Sequence, residues 1–244
     1  VTVKYLPDGQ PDPNWGPDGN GIVRYHGNYG VDEAVAIAIE AGNVYVTGRS
    51  QGNRTGFDYV TIKYLPDGQP DPNWGSDGDG VARYHGGYGD DEAVAIAIEA
   101  GNVYVTGRSQ GNQTGYDYVT IKYLPDGQPD PNWGSDGDGV ARYHGGYGDD
   151  EAAALAIEAG NLYVTGKSQG WDQNQNASSG FDYYTLKYNN TGKIVWSARY
   201  NHDTNSDDEA VALALNRNSE DVYITGRSLG GGTSFDFATV KYKQ

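Results

Sequence analysis

Residues 63–121, KYLPDGQPDPNWGSDGDGVARYHGGYGDDEAVAIAIEAGNVYVTGRSQGNQTGYDYVTI, decide the architecture, because the chain is built almost entirely from copies of them. A Lys-Tyr pair marks each copy, at Lys4-Tyr5, Lys63-Tyr64, Lys122-Tyr123, Lys187-Tyr188 and Lys241-Tyr242, with spacings of 59, 59, 65 and 54 residues. Periods in this range imply stacked or radially arranged units, each too small to bury its own apolar face. The copies must pack on one another, so residues 1–244 read as a single repeat array with units at about 4–62, 63–121, 122–186 and 187–244.

Four strands are predicted per unit. From Ala93 to Ile98, Ala93, Ala95 and Ala97 alternate with Val94, Ile96 and Ile98, the period of a strand. The small face predicts a close neighbour, so this is the crowded innermost strand. Val103 to Ser109 is the second, reached through a Gly-Asn corner that signals a hairpin. Tyr116 to Tyr123 is the third. Pro and Gly then exclude regular structure from LPDGQPDPNWGSDGDG, which ends in a short outer strand, Val140 to Gly145. The other copies repeat the inner strand at Ala34 to Ile39, Ala152 to Ile157 and Ala210 to Leu215. Antiparallel strands in this order form the blade of a propeller, so the predicted fold is all-β, a β-propeller of four-stranded antiparallel blades with four repeats visible. Seventeen strands are counted, one more than four closed blades require. Pairing of the N-terminal outer strand (Ile22 to His26) with the last three strands is the expected ring closure, leaving Val1 to Tyr5 over.

Composition narrows the partners. The net charge of −16 opposes nucleic acid, whose phosphates require a basic face, and anionic membranes alike. Cations, neutral sugars and basic proteins are the better electrostatic partners. The 37 glycines and 21 tyrosines, with a mean hydropathy of −0.70, suit short strands joined by many turns. Cysteine and methionine are both absent, which fits life outside the cell, and no apolar run is long enough to insert into a bilayer. Val1 begins the chain without an initiator methionine, so a processed protein or a piece of a longer array is expected.

At KY, YVTG, DYVTIKY and the closing KYNNTGKIVWSARYN, the sequence resembles the bacterial beta-propeller repeat family named for seven-bladed propellers, over essentially all of its length. The short fourth connection is similar to that family's usual form. The longer PDGQPDPNWGSDGDG loop looks like a related repeat of large bacterial surface proteins. The resemblance implies a secreted or cell-surface propeller and brings no catalytic residues. Four copies rather than seven depart from the family name.

Two ends of the array could carry chemistry. Antiparallel inner and second strands place Asp32-Glu33, Asp90-Asp91-Glu92, Asp149-Asp150-Glu151 and Asp207-Asp208-Glu209 beside Arg49, Arg108, Lys167 and Arg227. A ring of neutralising acid–base pairs is the first reading there and a central cation or ligand site the second, since crowded carboxylates recruit cations. At the other end, Asp71, Asn73, Asp77 and Asp79, and their copies Asp130, Asn132, Asp136 and Asp138, are hard oxygen ligands on Gly-turned loops. They make calcium the candidate ion, although no cofactor is required and the spacing is that of ordinary turns. Trp15, Trp74 and Trp133 sit in the same loops, able to stack on a sugar or to plug the loop, and Trp196 takes the corresponding place in the short connection.

His26, His85, His144 and His202 follow the outer strands, far from one another around a ring, so a metal site shared among them is not expected. No triad surrounds Ser50 or Ser109. The loop from Trp171 to Gly180, with an acceptor pattern at Asn176-Ala177-Ser178, is the only stretch that sets one blade apart. The expected role is a non-enzymatic, extracellular structural or adhesive module with a protein partner or surface assembly. The alternative is a multivalent, lectin-like carbohydrate-binding propeller, calcium-assisted, in which repeated weak sites gain avidity.

Overall fold

The structure is a computed structural model, and it describes all residues except 147, 173–176, 203–205, 217, 220, 231–233 and 244. Among the described residues it contains seventeen strands and no helix. A half-blade of β1 (Thr2–Val3) and β2 (Ile22–Val23) comes first. The first full blade is β3 (Asp32–Glu40), β4 (Asn43–Gln51), β5 (Phe57–Tyr64) and β6 (Val81–Tyr84). The second is β7 (Asp91–Glu99), β8 (Asn102–Gln110), β9 (Tyr116–Tyr123) and β10 (Val140–Tyr143). The third is β11 (Asp150–Glu158), β12 (Asn161–Asp172), β13 (Ala177–Tyr188) and β14 (Ile194–Tyr200). The terminal blade has three strands, β15 (Asp208–Asn216), β16 (Asp221–Leu229) and β17 (Phe235–Lys243). Every pairing is antiparallel between sequence neighbours, and β3 packs on β7, β7 on β11 and β11 on β15, so the inner strands line the middle of a β-propeller array.

The inner strands are not the simple alternation that their sequence suggests. Each carries a bulge after its first alanine, between Ala93 and Ala95 in the second blade. The cause is the glycine of the YVTG motif. Gly107 pairs with Ala93, and a Cβ there would collide with the carbonyl oxygen of Glu92; Gly48, Gly166 and Gly226 are crowded in the same way. The hairpin at Glu99 to Asn102 also turns on different residues from the Gly-Asn corner. Its central pair is Ala100 and Gly101, both left-handed at φ 52° and 80°, as a type I′ turn requires.

The core lies between blades. Tyr45 and Tyr59 of the first blade pack with Trp74, Val103, Val105, Val119 and Ile121, and the next seam repeats this with Tyr104, Tyr118, Trp133, Leu162, Val164 and Leu186. Tyrosine suits these positions because its hydroxyl reaches across the seam: Tyr59 donates to the Val119 carbonyl and Tyr118 to that of Tyr184, at 3.2 and 3.1 Å.

The expected ring closure is not formed. β2 pairs with β1, Thr2 opposite Val23, in the register that Thr61 and Ala82 adopt between β5 and β6. The segment left over in the strand count is the outer strand's own neighbour in repeat order, and the local partner takes the pairing. Among the described residues β17 pairs only with β16.

Candidate functional site

One end of every blade gathers the start of the inner strand, the end of the second, the start of the third and the end of the outer strand. The charged belt found there links the first three full blades. Arg49 holds Glu33 of its own blade at 2.7 Å and Glu92 of the next at 2.6 Å. Arg108 does the same with Glu92 at 2.9 Å and Glu151 at 3.0 Å, and Lys167 continues to Glu151 at 3.6 Å. Arg227 contacts Glu209 at 2.7 Å. Each cation also lies over an aromatic ring at the start of the third strand: Arg49 over Phe57, Arg108 over Tyr116, Lys167 over Phe181 and Arg227 over Phe235, at 4.4–4.5 Å. Arg49 and Arg108 are thus engaged as clamps between blades, while Lys167 and Arg227 each meet one glutamate of their own blade.

Around the belt run the loops from outer to inner strand. Gln110 accepts from the Asp90 amide at 3.3 Å, Asp90 accepts from the Tyr116 counterpart Phe57 at 2.9 Å, and the next copy repeats this with Gln169, Asp149 and Tyr116. The loop is thus pinned on both sides. From its tip Tyr29 and Tyr88 project into solvent, 53% and 50% exposed; the third copy, Tyr147, lies outside the described residues. The sequence reading passed over these tyrosines, although their spacing of 59 residues in the motif YG was there to be seen.

Beneath these loops lie clusters of unlike groups. Asp58 of β5, His85 after β6 and Asp91 of β7 place ligand-type atoms within 4.8 Å of one another, and so do Asp117, His144 and Asp150. Burial pushes the carboxyls of Asp58, Asp91 and Asp150 above the ordinary carboxylate range. Histidines that are remote from one another around the array thus each meet two carboxylates at a seam, an arrangement visible only once successive blades are stacked.

The tryptophans require a correction. Trp15, Trp74 and Trp133 are fully buried, Trp15 against the ring of Tyr64 and the other two between the aromatic rings of adjacent repeats, as with Trp74 at 6.1 Å from Tyr45 and 5.9 Å from Tyr123. No face is left for a sugar. Trp196 fills the same role against Tyr163 and Tyr242.

The calcium loops are corrected as well. Asp71 and Asp130 bind Lys63 and Lys122 at 2.8 and 2.7 Å, so an ammonium stands where an ion would. Their other oxygens cap the amides of Asn73 and Asn132, while Asp79 and Asp138 cap Val81 and Val140. Asp77 and Asp136 are exposed and join no cluster among the described residues. The loop from Trp171 to Gly180 falls partly on residues 173–176, outside the described residues, and the acceptor pattern at Asn176 with it.

No protein-family model matches the chain, and no curated protein matches it. The resemblance to the named repeat family therefore stands only as a propeller-type fold. Among solved structures, the chain is similar to a neuraminidase-like protein of A/flat-faced bat/Peru, with 13% identity and a TM-score of 0.45, over 91% of this chain and 64% of that one. It is similar to an alpha-L-arabinofuranosidase from Podospora anserina in complex with cellotriose, with 12% identity and a TM-score of 0.39, over 95% and 69%. An exo-1,5-alpha-L-arabinanase from a bovine ruminal metagenomic library follows, with 10% identity and a TM-score of 0.36, over 84% and 72%. The last two are carbohydrate-acting enzymes, and against them the expectations of a non-enzymatic structural or adhesive module and of no enzymatic role are withdrawn. At these identities no residue of their sites is carried over. Among the described residues no helix is long and apolar enough to cross a membrane.

Proposed function

We propose that this propeller engages carbohydrate, outside the cell or at its surface, through repeated weak sites on the face that carries Tyr29 and Tyr88. The observation that supports this is a half-exposed phenol ring at the same place in two successive repeats, Tyr29 and Tyr88, the second on a loop pinned to its own blade and to the preceding one. A tyrosine so held presents a flat apolar face and a polar tip at little entropic cost, which suits stacking on a sugar ring with hydrogen bonds at its edge. The strongly negative chain favours neutral sugars over acidic ones. Equivalent rings on successive blades bind a polymer multivalently, so modest sites add into useful avidity.

A glycan array probed with the full chain, with and without calcium, tests the reading, followed by titration of the best neutral oligosaccharide. The Tyr29→Ala, Tyr88→Ala double variant should lose at least tenfold in affinity with an unchanged circular dichroism spectrum. Undiminished binding in that variant, or no glycan bound in either condition, removes the proposal. Reducing sugar released from the bound polymer would extend it from binding to hydrolysis.

A further inference from the structure

We propose that two blade seams are binding sites for a small divalent transition ion, zinc foremost, one formed by Asp58, His85 and Asp91 and the other by Asp117, His144 and Asp150. The first support is spacing. His85 Nδ1 lies 3.2 Å from Asp58 Oδ1 and 3.5 Å from Asp91 Oδ2, and His144 Nδ1 lies 3.4 Å from Asp117 Oδ1. A tetrahedral zinc with bonds of about 2.0–2.1 Å sets its ligand atoms about 3.3 Å apart.

The second support is an unmet need. Asp117 Oδ1, the oxygen nearest the His144 imidazole, accepts no hydrogen bond although Asp117 is only 2% exposed, and its counterpart Asp58 Oδ1 has only the His85 imidazole beside it. A buried carboxylate oxygen without a donor is costly, and a cation at that point satisfies it.

The surrounding groups hold these ligands in place. The amides of Gly86 and Gly145 donate to Asp91 Oδ2 and Asp150 Oδ2 at 2.6 Å, and Arg142 donates to Asp117 Oδ2 at 2.6 Å while leaving Oδ1 toward the histidine. Such outer hydrogen bonds orient metal ligands. The imidazoles themselves are 39% and 40% exposed, giving an ion a way in and leaving room for a water as fourth ligand. One nitrogen and two carboxylates suit zinc or a neighbouring transition ion, whereas calcium requires six to eight oxygens. The ligands come from the third strand of one blade, the loop after its outer strand and the inner strand of the next, so the bound ion is a cross-link between blades.

The first repeat supplies a control. His26 is 76% exposed and 3.8 Å from Asp32 Oδ2, Ser50 donates to Asp32 Oδ1 at 2.6 Å, and no third ligand joins them among the described residues.

Isothermal titration of the full chain, stripped with chelator, with zinc, manganese and calcium chlorides tests the proposal independently of glycan binding. His85→Ala and His144→Ala should each remove one equivalent of zinc, the double variant two, and His26→Ala none. Zinc should raise the melting temperature of the wild type and raise it less in each seam variant, since a ligand of the native state stabilises it by mass action. Should an alanine variant fail to fold by circular dichroism, Asp58→Asn and Asp117→Asn preserve the shape and read the same loss. Zinc uptake unchanged in the double variant, no zinc bound at all, or calcium held as tightly as zinc would overturn the proposal.

Discussion

Tyr118 and Phe237 occupy the same position of the third strand in two blades, and their surroundings could hardly differ more: the first is 0% exposed and the second 98%. Each has the second strand of its blade beside it, with Arg108 opposite Tyr118 and Arg227 opposite Phe237. What Tyr118 has and Phe237 lacks is an outer strand, which sets Tyr143 opposite it, and a following blade, whose Tyr184 carbonyl receives its hydroxyl. Val35, Ile37 and Ile39 of β3 show the same at the other end, exposed where Val94, Ile96 and Ile98 of β7 are covered in part by the blade before. Burial here depends on the neighbouring blade as well as on the sheet, as expected of units that cannot enclose a core alone.

The contrast can be broken most forcefully at the seam's largest side chain. Trp74→Ala should cost about 3–5 kcal/mol, the range for emptying a fully buried aromatic site, read as a shift in the urea midpoint. A smaller effect is expected from the lysine that partners each buried loop carboxylate. Burial alone would raise the Asp71 and Asp130 carboxyls, yet Lys63 or Lys122 and the adjoining amide hold both below the ordinary value. A carboxyl depressed in the fold stabilises it above its unfolded value of about 3.9, and that contribution disappears as pH falls through the lower folded value. The stability difference between wild type and Lys63→Met should therefore be constant from pH 7 to pH 5 and shrink below about pH 4; a difference that grows in acid would contradict the pairing.

Tyr118→Phe removes one of two side-chain donors to the Tyr184 carbonyl, Thr165 remaining, and should cost about 0.5–1.5 kcal/mol, while the mirror change Phe237→Tyr should be silent within about 0.5 kcal/mol. Equal costs at the two sites would refute the seam argument. The smallest gain belongs to the hairpin: Ala100→Gly relieves a left-handed alanine and should stabilise by about 0.4–1 kcal/mol in the same urea assay.

The fold was legible because each strand carried local marks. Alternating Ala93 to Ile98, β-branched Val103 to Ser109 and the Pro-broken loop before Val140 predicted strands that the structure reproduces within a residue or two at most ends. The bulge at Val94 was hidden because its cause, Gly107, acts across the ladder and not along the chain. The site was less legible for the same reason. Trp74 beside Asn73 reads equally as a sugar platform or a plug until the neighbouring repeat supplies Tyr45 and Tyr123. His85 and Asp91 are six residues apart and could have been paired from sequence, but Asp58 joins them only through the pairing of β5 with β6, which sets Tyr59 opposite Tyr84.

The belt of arginine and glutamate has an implication for how such a chain can change in length. Arg49 reaches Glu92 and Arg108 reaches Glu151, both 43 residues ahead; Glu40 and Glu99 cap the amides of Gly101 and Gly160, both 61 ahead. These links therefore run from one copy to the next at the same offset in the first two steps, and neither kind names a particular copy. Duplicating or deleting a whole unit leaves each of these donors facing an acceptor of the same kind, so the gene can lengthen or shorten in single strides without any compensating substitution.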